Sequence, residues 1–199
     1  MAKLHFKYGA MNCGKSDTLI KTAFNYTETG LEIAVIKPSI DTKDDTAIVA
    51  RPGGRLEPDI LATPETQLRQ ELTDLIGRRA INKLNCVLVD EAQFLTPPQI
   101  DDLYDTAKLD DTSVIAYGLR TDFQTRVFPG SLRLLELADN IEKLPTMCAN
   151  RCGSQGEFNT RKINGLYVFE GDQVAIDGQD DVEYDSLCGV CRRKAQLGL

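Results

Sequence analysis

The stretch Gly9-Ala10-Met11-Asn12-Cys13-Gly14-Lys15-Ser16 fits G-x-x-x-x-G-K-[ST], a loop that wraps a phosphate chain. The spacing has a physical cause. Two glycines let the backbone fold around an anion with its N–H groups turned inward. Lys15 is placed to reach the terminal phosphates as a point charge, and Ser16 to offer its hydroxyl to Mg²⁺. The flanks supply the context that the motif requires. Leu4 to Tyr8 reads as a strand and Ser16 to Tyr26 as a helix, so a helix N-terminus faces the phosphates.

Downstream, short apolar runs alternate with helical patterns, which predicts a parallel α/β sheet. Leu31 to Ile36 reads as the second strand, closed by Lys37-Pro38. Residues 39 to 62, rich in Asp, Thr, Pro and Gly, are expected to form a loop with little regular structure. Helices are expected over 66–83, from Pro97 to Ala107 and from Leu132 to Ala138, with a buried strand at Val114 to Gly118. Cys86-Val87-Leu88-Val89 is a continuous apolar run, as in a strand covered on both faces. It delivers Asp90-Glu91 at its carboxyl end, where open parallel sheets hold ligands. One carboxylate can serve the Mg²⁺ held by Ser16, and the other can take a proton from an attacking hydroxyl.

The character of the chain changes near Pro145, and a small second unit is expected over 146–199 beside a first over 1–145. Cys148 and Cys152 form C-x₃-C, and Cys188 and Cys191 form C-x₂-C, the pattern of a structural zinc site with no open position. Cys86 is expected to pack as a small hydrophobe, whereas Cys13 lies inside the phosphate loop.

The 199 residues carry a net charge of −7, which disfavours a nucleic-acid backbone as partner. No apolar run approaches the roughly 20 residues of a membrane span, and Met1 to Phe6 shows no signal-peptide apolar region, so the expectation is a cytoplasmic chain with reduced cysteines.

Taken in order, these motifs resemble the thymidine kinase family of the cellular, zinc-containing type (type II). The resemblance rests on the phosphate loop, Asp90-Glu91-Ala92-Gln93-Phe94, Tyr117-Gly118-Leu119-Arg120-Thr121-Asp122-Phe123, and the ending Tyr184-x-x-x-Cys188-x-x-Cys191. It spans nearly the whole chain. It implies a P-loop NTPase-like parallel sheet flanked by helices, with a small zinc-binding, β-rich lasso domain at the C-terminal end. It implies ATP-dependent phosphorylation of thymidine, with deoxyuridine as a possible second substrate. Glu91 takes the role of general base. Gly9, Ala10, Met11, Asn12, Cys13, Gly14, Lys15, Ser16, Asp90 and Gln93 serve ATP, with Ser16 and Asp90 on Mg²⁺. Met11, Phe94, Leu119, Phe123, Val174, Ala175, Ile176, Asp177, Gly178 and Tyr184 enclose the nucleoside. Structural Zn²⁺ on Cys148, Cys152, Cys188 and Cys191, a homotetramer and feedback by dTTP complete what the resemblance implies.

Three features depart from that family's pattern, one of them a segment from Asp177 to Glu183 that is one residue longer than common. Asn12-Cys13 replaces an aromatic-Ser pair, and the first cysteine pair has three intervening residues where two are usual. A competing reading is a P-loop ATPase or nucleotide-gated binding protein, in which Glu91 orients water.

Overall fold

The computed structural model describes residues 1–39, 46–51, 53–171, 173 and 182–199. Six parallel strands form the central sheet: β1 (Leu4–Tyr8), β2 (Ile33–Pro38), β5 (Ile60–Ala62), β6 (Cys86–Val89), β7 (Ser113–Gly118) and β8 (Asn140–Lys143). Their order is β5-β2-β6-β7-β1-β8. The strand that feeds the phosphate loop, β1, and the strand that ends at Asp90, β6, are therefore separated by β7.

Parallel neighbours need crossovers, and helices supply them. These are α1 (Lys15–Glu28), α2 (Leu68–Arg79), α3 (Pro97–Lys108) and α4 (Pro129–Leu137). Strand alternation assigns each face its partners. Val87 and Val89 join one core with Leu68, Leu72, Leu75, Ile100, Leu103 and Leu134, from α2, α3 and α4. Cys86 and Leu88 join another with Leu19 and Ala23 of α1. All four residues of β6 are fully buried, as a strand covered on both faces requires.

Segment 39–62 differs from its expected form. A small antiparallel pair, β3 (Ile48–Val49) and β4 (Arg55–Leu56), packs toward α1, and β5 adds an edge to the main sheet. Ile60 pairs beside Ile36 and Ala62 beside Pro38, so β2 includes Lys37 and ends at Pro38, as the closing Lys37-Pro38 led one to expect. At Pro97 the expectation holds: Thr96 and Gln99 form a capping box around a proline-led first turn.

After β8 comes a second sheet, in the order β10-β9-β11, built from β9 (Phe158–Ile163), β10 (Leu166–Val168) and β11 (Val182–Leu187). A short helix, α5 (Gly189–Gln196), follows. Among the described residues, the buried members of its core cluster are Cys148, Leu187 and Cys188.

Candidate active site

The two glycines of the phosphate loop are needed for different reasons. Gly14 sits at φ +79°, a left-handed conformation, and caps α1. Gly9 is needed for space, since a Cβ there would lie 2.3 Å from Cys13 Sγ and 3.0 Å from Leu144 O. Asn12 also takes a left-handed conformation, φ +66°, which asparagine tolerates better than most side chains.

Lys15 is buried, with Nζ 3.3 Å from Ala10 O and 3.9 Å from Cys13 Sγ. Ser16 Oγ donates to Asp90 Oδ2 at 3.2 Å, joining the loop to the end of β6. Asp90 is 3 % exposed, and its Oδ1 has no partner. Burial, and then the charge of Glu91, push the Asp90 carboxyl up to about 7, against the pull of Ser16 and Lys15. A buried carboxylate oxygen without a donor, beside a serine hydroxyl, fits a hard divalent cation. Asp90 and Ser16 are the residues that would hold Mg²⁺.

Glu91 adopts φ +46°, a strained conformation for a side chain of its kind, of a sort often found at functional positions. Gln93 holds it there. Its Nε2 donates to Glu91 Oε2 at 2.5 Å, and its Oε1 accepts from Leu119 N at 2.9 Å. Gln93 was expected among the ATP ligands. It is 2 % exposed, and both ends of its amide are engaged, one by Glu91 and the other by the Leu119 N–H.

A cavity of about 390 Å³ is lined by Met11, Asn12, Gly14, Lys15, Ser16, Asp17, Val49, Ala50, Arg51, Glu91 and Leu119. It brings the loop, the carboxylate and two of the expected nucleoside residues, Met11 and Leu119, to one place. It also recruits Arg51 from the segment expected to be irregular. Phe94 and Phe123 are not on its wall. Phe94 packs edge-on against Phe128, at 5.7 Å between ring centres. Phe123 lies under the Arg161 guanidinium, 3.8 Å from the ring centre, and Arg161 Nε also donates to the Tyr184 hydroxyl at 3.0 Å. Val174, Ala175, Ile176, Asp177 and Gly178 lie outside the described residues.

Backbone contact fixes the turn that carries Glu91. A Cβ on Gly130 would lie 2.5 Å from Leu95 O and 2.8 Å from Ala92 O. Gly130→Ala should therefore force the Ala92–Phe94 turn outward and lower stability by about 1–3 kcal/mol, read as a fall in the denaturant midpoint. An unchanged midpoint would mean that the turn yields freely.

Cys148, Cys152, Cys188 and Cys191 converge, with every Sγ within 4.8 Å of the others. Cys152 and Cys188 Sγ are 3.7 Å apart, close to the roughly 3.8 Å edge of a tetrahedron with Zn–S bonds of about 2.3 Å. Backbone N–H groups of Cys188 and Cys191 point at Cys148 and Cys188 Sγ, at 3.3 and 3.4 Å, as they would toward thiolates. The extra residue of C-x₃-C is absorbed by a turn: Arg151 takes φ +52°, and its N–H bonds Cys148 O at 2.9 Å. The donor set fits a closed zinc site. Cys86 is buried in β6, and that burial pushes its thiol up to about 12, as for an inert packing residue. His5 lies on β1 with its ring beside the Asn140 amide at 3.3 Å, away from the cavity. Among the described residues, no helix is long and apolar enough to cross a membrane.

The thymidine kinase family model matches residues 2–192. Among curated relatives, the thymidine kinase of Coxiella burnetii is 37 % identical over 199 residues, covering all of this chain and 97 % of that one. That of Legionella pneumophila (strain Lens) is 39 % identical over 199 residues, covering all of this chain and 92 % of its own length. That of Mannheimia succiniciproducens is 40 % identical over 189 residues, covering 94 % of this chain and 93 % of its own.

Proposed function

The chain belongs to the thymidine kinase family of enzymes, and on that premise we propose that it transfers the γ-phosphoryl group of ATP to the 5′-hydroxyl of thymidine, giving dTMP. Deoxyuridine is the second substrate of the same reading. The observation that carries it is the single cavity wall shared by Lys15, Ser16 and Glu91. A phosphate cradle and a proton acceptor thus face the same volume, as in-line transfer to a hydroxyl requires.

In this reading the loop N–H groups and Lys15 bind the triphosphate, and Ser16 and Asp90 hold Mg²⁺. Bound there, Mg²⁺ supplies charge neutralisation on the phosphates. Glu91, fixed by Gln93, takes the 5′-hydroxyl proton as the oxygen attacks. Met11 and Leu119 wall the nucleoside, with Phe94, Phe123, Tyr184 and the Val174–Gly178 segment completing the enclosure. Residues 1–145 then form the catalytic unit, and residues 146–199 a zinc-bearing unit that supports the nucleoside site. A homotetramer and feedback by dTTP belong to the same proposal.

The test is transfer of labelled phosphate from Mg-ATP to thymidine, with deoxycytidine and no nucleoside as controls. Label on thymidine is expected. Equal ATP consumption without any nucleoside would replace this reading with the ATPase one. Lys15→Ala should lower kcat/KM by roughly 10²–10³-fold, the scale of removing one preorganised charge contact, as steady-state kinetics would show. Near-normal kcat/KM would take the phosphates away from this loop.

A further inference from the structure

Three side chains of the second unit grip consecutive peptide groups of the phosphate loop. Asn159, on β9, accepts the Met11 N–H through Oδ1 at 2.8 Å, and its Nδ2 donates to Thr121 O at 2.7 Å. Ser186, on β11, donates to Met11 O at 2.5 Å. Thr146 donates to Asn12 O at 3.3 Å. Asn159 and Ser186 are direct partners in the β9–β11 register, so one cross-strand pair holds both polar groups of a single residue. Asn159 and Ser186 are 4 % and 3 % exposed, so water competes little for either contact.

Peptide planarity turns these contacts into orientation. In a trans peptide the C=O and the following N–H point in opposite directions. Asn159 takes the Met11 N–H, which turns Ala10 O the other way, and that oxygen meets Lys15 Nζ at 3.3 Å. Ser186 takes Met11 O, which turns the Asn12 N–H away from β11. Thr146 acts alike on the next peptide and helps keep Asn12 at its left-handed φ of +66°.

We propose that Asn159 and Ser186 are positioning residues for the phosphate loop: they preset its peptide planes so that the Asn12 N–H and Lys15 meet the triphosphate. This rests on the kinase reading above. It also gives the cysteine cluster a route to the phosphates. Ser186 is two residues from Cys188, and its carbonyl accepts the Ala149 N–H at 2.8 Å, one residue after Cys148.

Ser186→Ala and Asn159→Ala test it by equilibrium binding of Mg-ATP, inorganic tripolyphosphate and, separately, thymidine. Each variant should bind Mg-ATP and tripolyphosphate about tenfold more weakly, as expected when a buried backbone group loses its partner. Thymidine affinity should fall clearly less than triphosphate affinity, since of the nucleoside wall the clamp holds Met11 alone, and zinc content should not change. Ser186→Thr, which keeps the hydroxyl, should restore triphosphate affinity. Unchanged triphosphate affinity in both alanine variants, or equal weakening toward thymidine with no rescue by threonine, would overturn the proposal. If the unmutated protein bound no Mg-ATP, the kinase reading itself would fall, a result distinguishable from either of those.

Discussion

Glu91→Gln is expected to lower kcat for thymidine phosphorylation by roughly 10²–10⁴-fold, the range of a general base, while Mg-ATP affinity stays within about twofold. The substitution conserves length and shape. The Gln93 amide can still donate to the new side-chain oxygen, as it does now to Glu91 Oε2 at 2.5 Å. The turn at φ +46° asks no more of glutamine than of glutamate. Only the proton acceptor is lost. Single-turnover transfer, beside equilibrium nucleotide binding, separates chemistry from affinity. A kcat within tenfold of the unmutated value would move the base elsewhere or leave the hydroxyl to ionise unaided. Gln93→Ala provides the companion measurement. It leaves the carboxylate but frees its orientation, so kcat should fall by less than in Glu91→Gln, with a similar KM for ATP.

The elements that hold the chemistry were legible because each is local. The phosphate loop is one octapeptide, Asp90-Glu91 closes one apolar run, and the cysteines form two short pairs. The strand β5 was not legible. It has only three residues, set in a stretch whose prolines, glycines and aspartates read as turn, and its register comes from β2, 24 residues earlier at the pairing of Ile36 with Ile60. The clamp on the phosphate loop was hidden for a similar reason. Asn159 and Ser186 stand 148 and 175 residues from Met11, and a polar residue in a β-rich segment carries no mark of a distant backbone partner. Gln93 shows the same limit at close range. Its position in Asp90-Glu91-Ala92-Gln93-Phe94 is apparent, but its two hydrogen bonds arise only because Gly118, at the end of the intervening strand β7, leaves room for the amide. A Cβ on Gly118 would lie 2.8 Å from Gln93 Oε1.

Removal of the metal is expected to have the other large effect, and to act on one part of the molecule. The main sheet carries two extensive cores, one on each face. Among the described residues, the core cluster of the second sheet has a single fully buried aliphatic side chain, Leu187, otherwise cysteines and half-buried neighbours. Burying one leucine stabilises by roughly 1.5–3 kcal/mol, far below the cost of ordering three strands and a helix. Zinc on four thiolates contributes about 10–16 kcal/mol in small zinc domains, several times the contribution of that leucine. Metal analysis should therefore find about one zinc per chain. Chelation under reducing conditions, or Cys188→Ser, should abolish amide-exchange protection in β9, β10 and β11 while protection in β1, β6 and β7 persists. Activity should be lost with it, because Met11 and Tyr184 depend on that unit through Asn159, Ser186 and Arg161. Full protection of β9 and β11 in zinc-free protein would show that the second sheet stands on its contacts with the first, and the cysteines would then need another role.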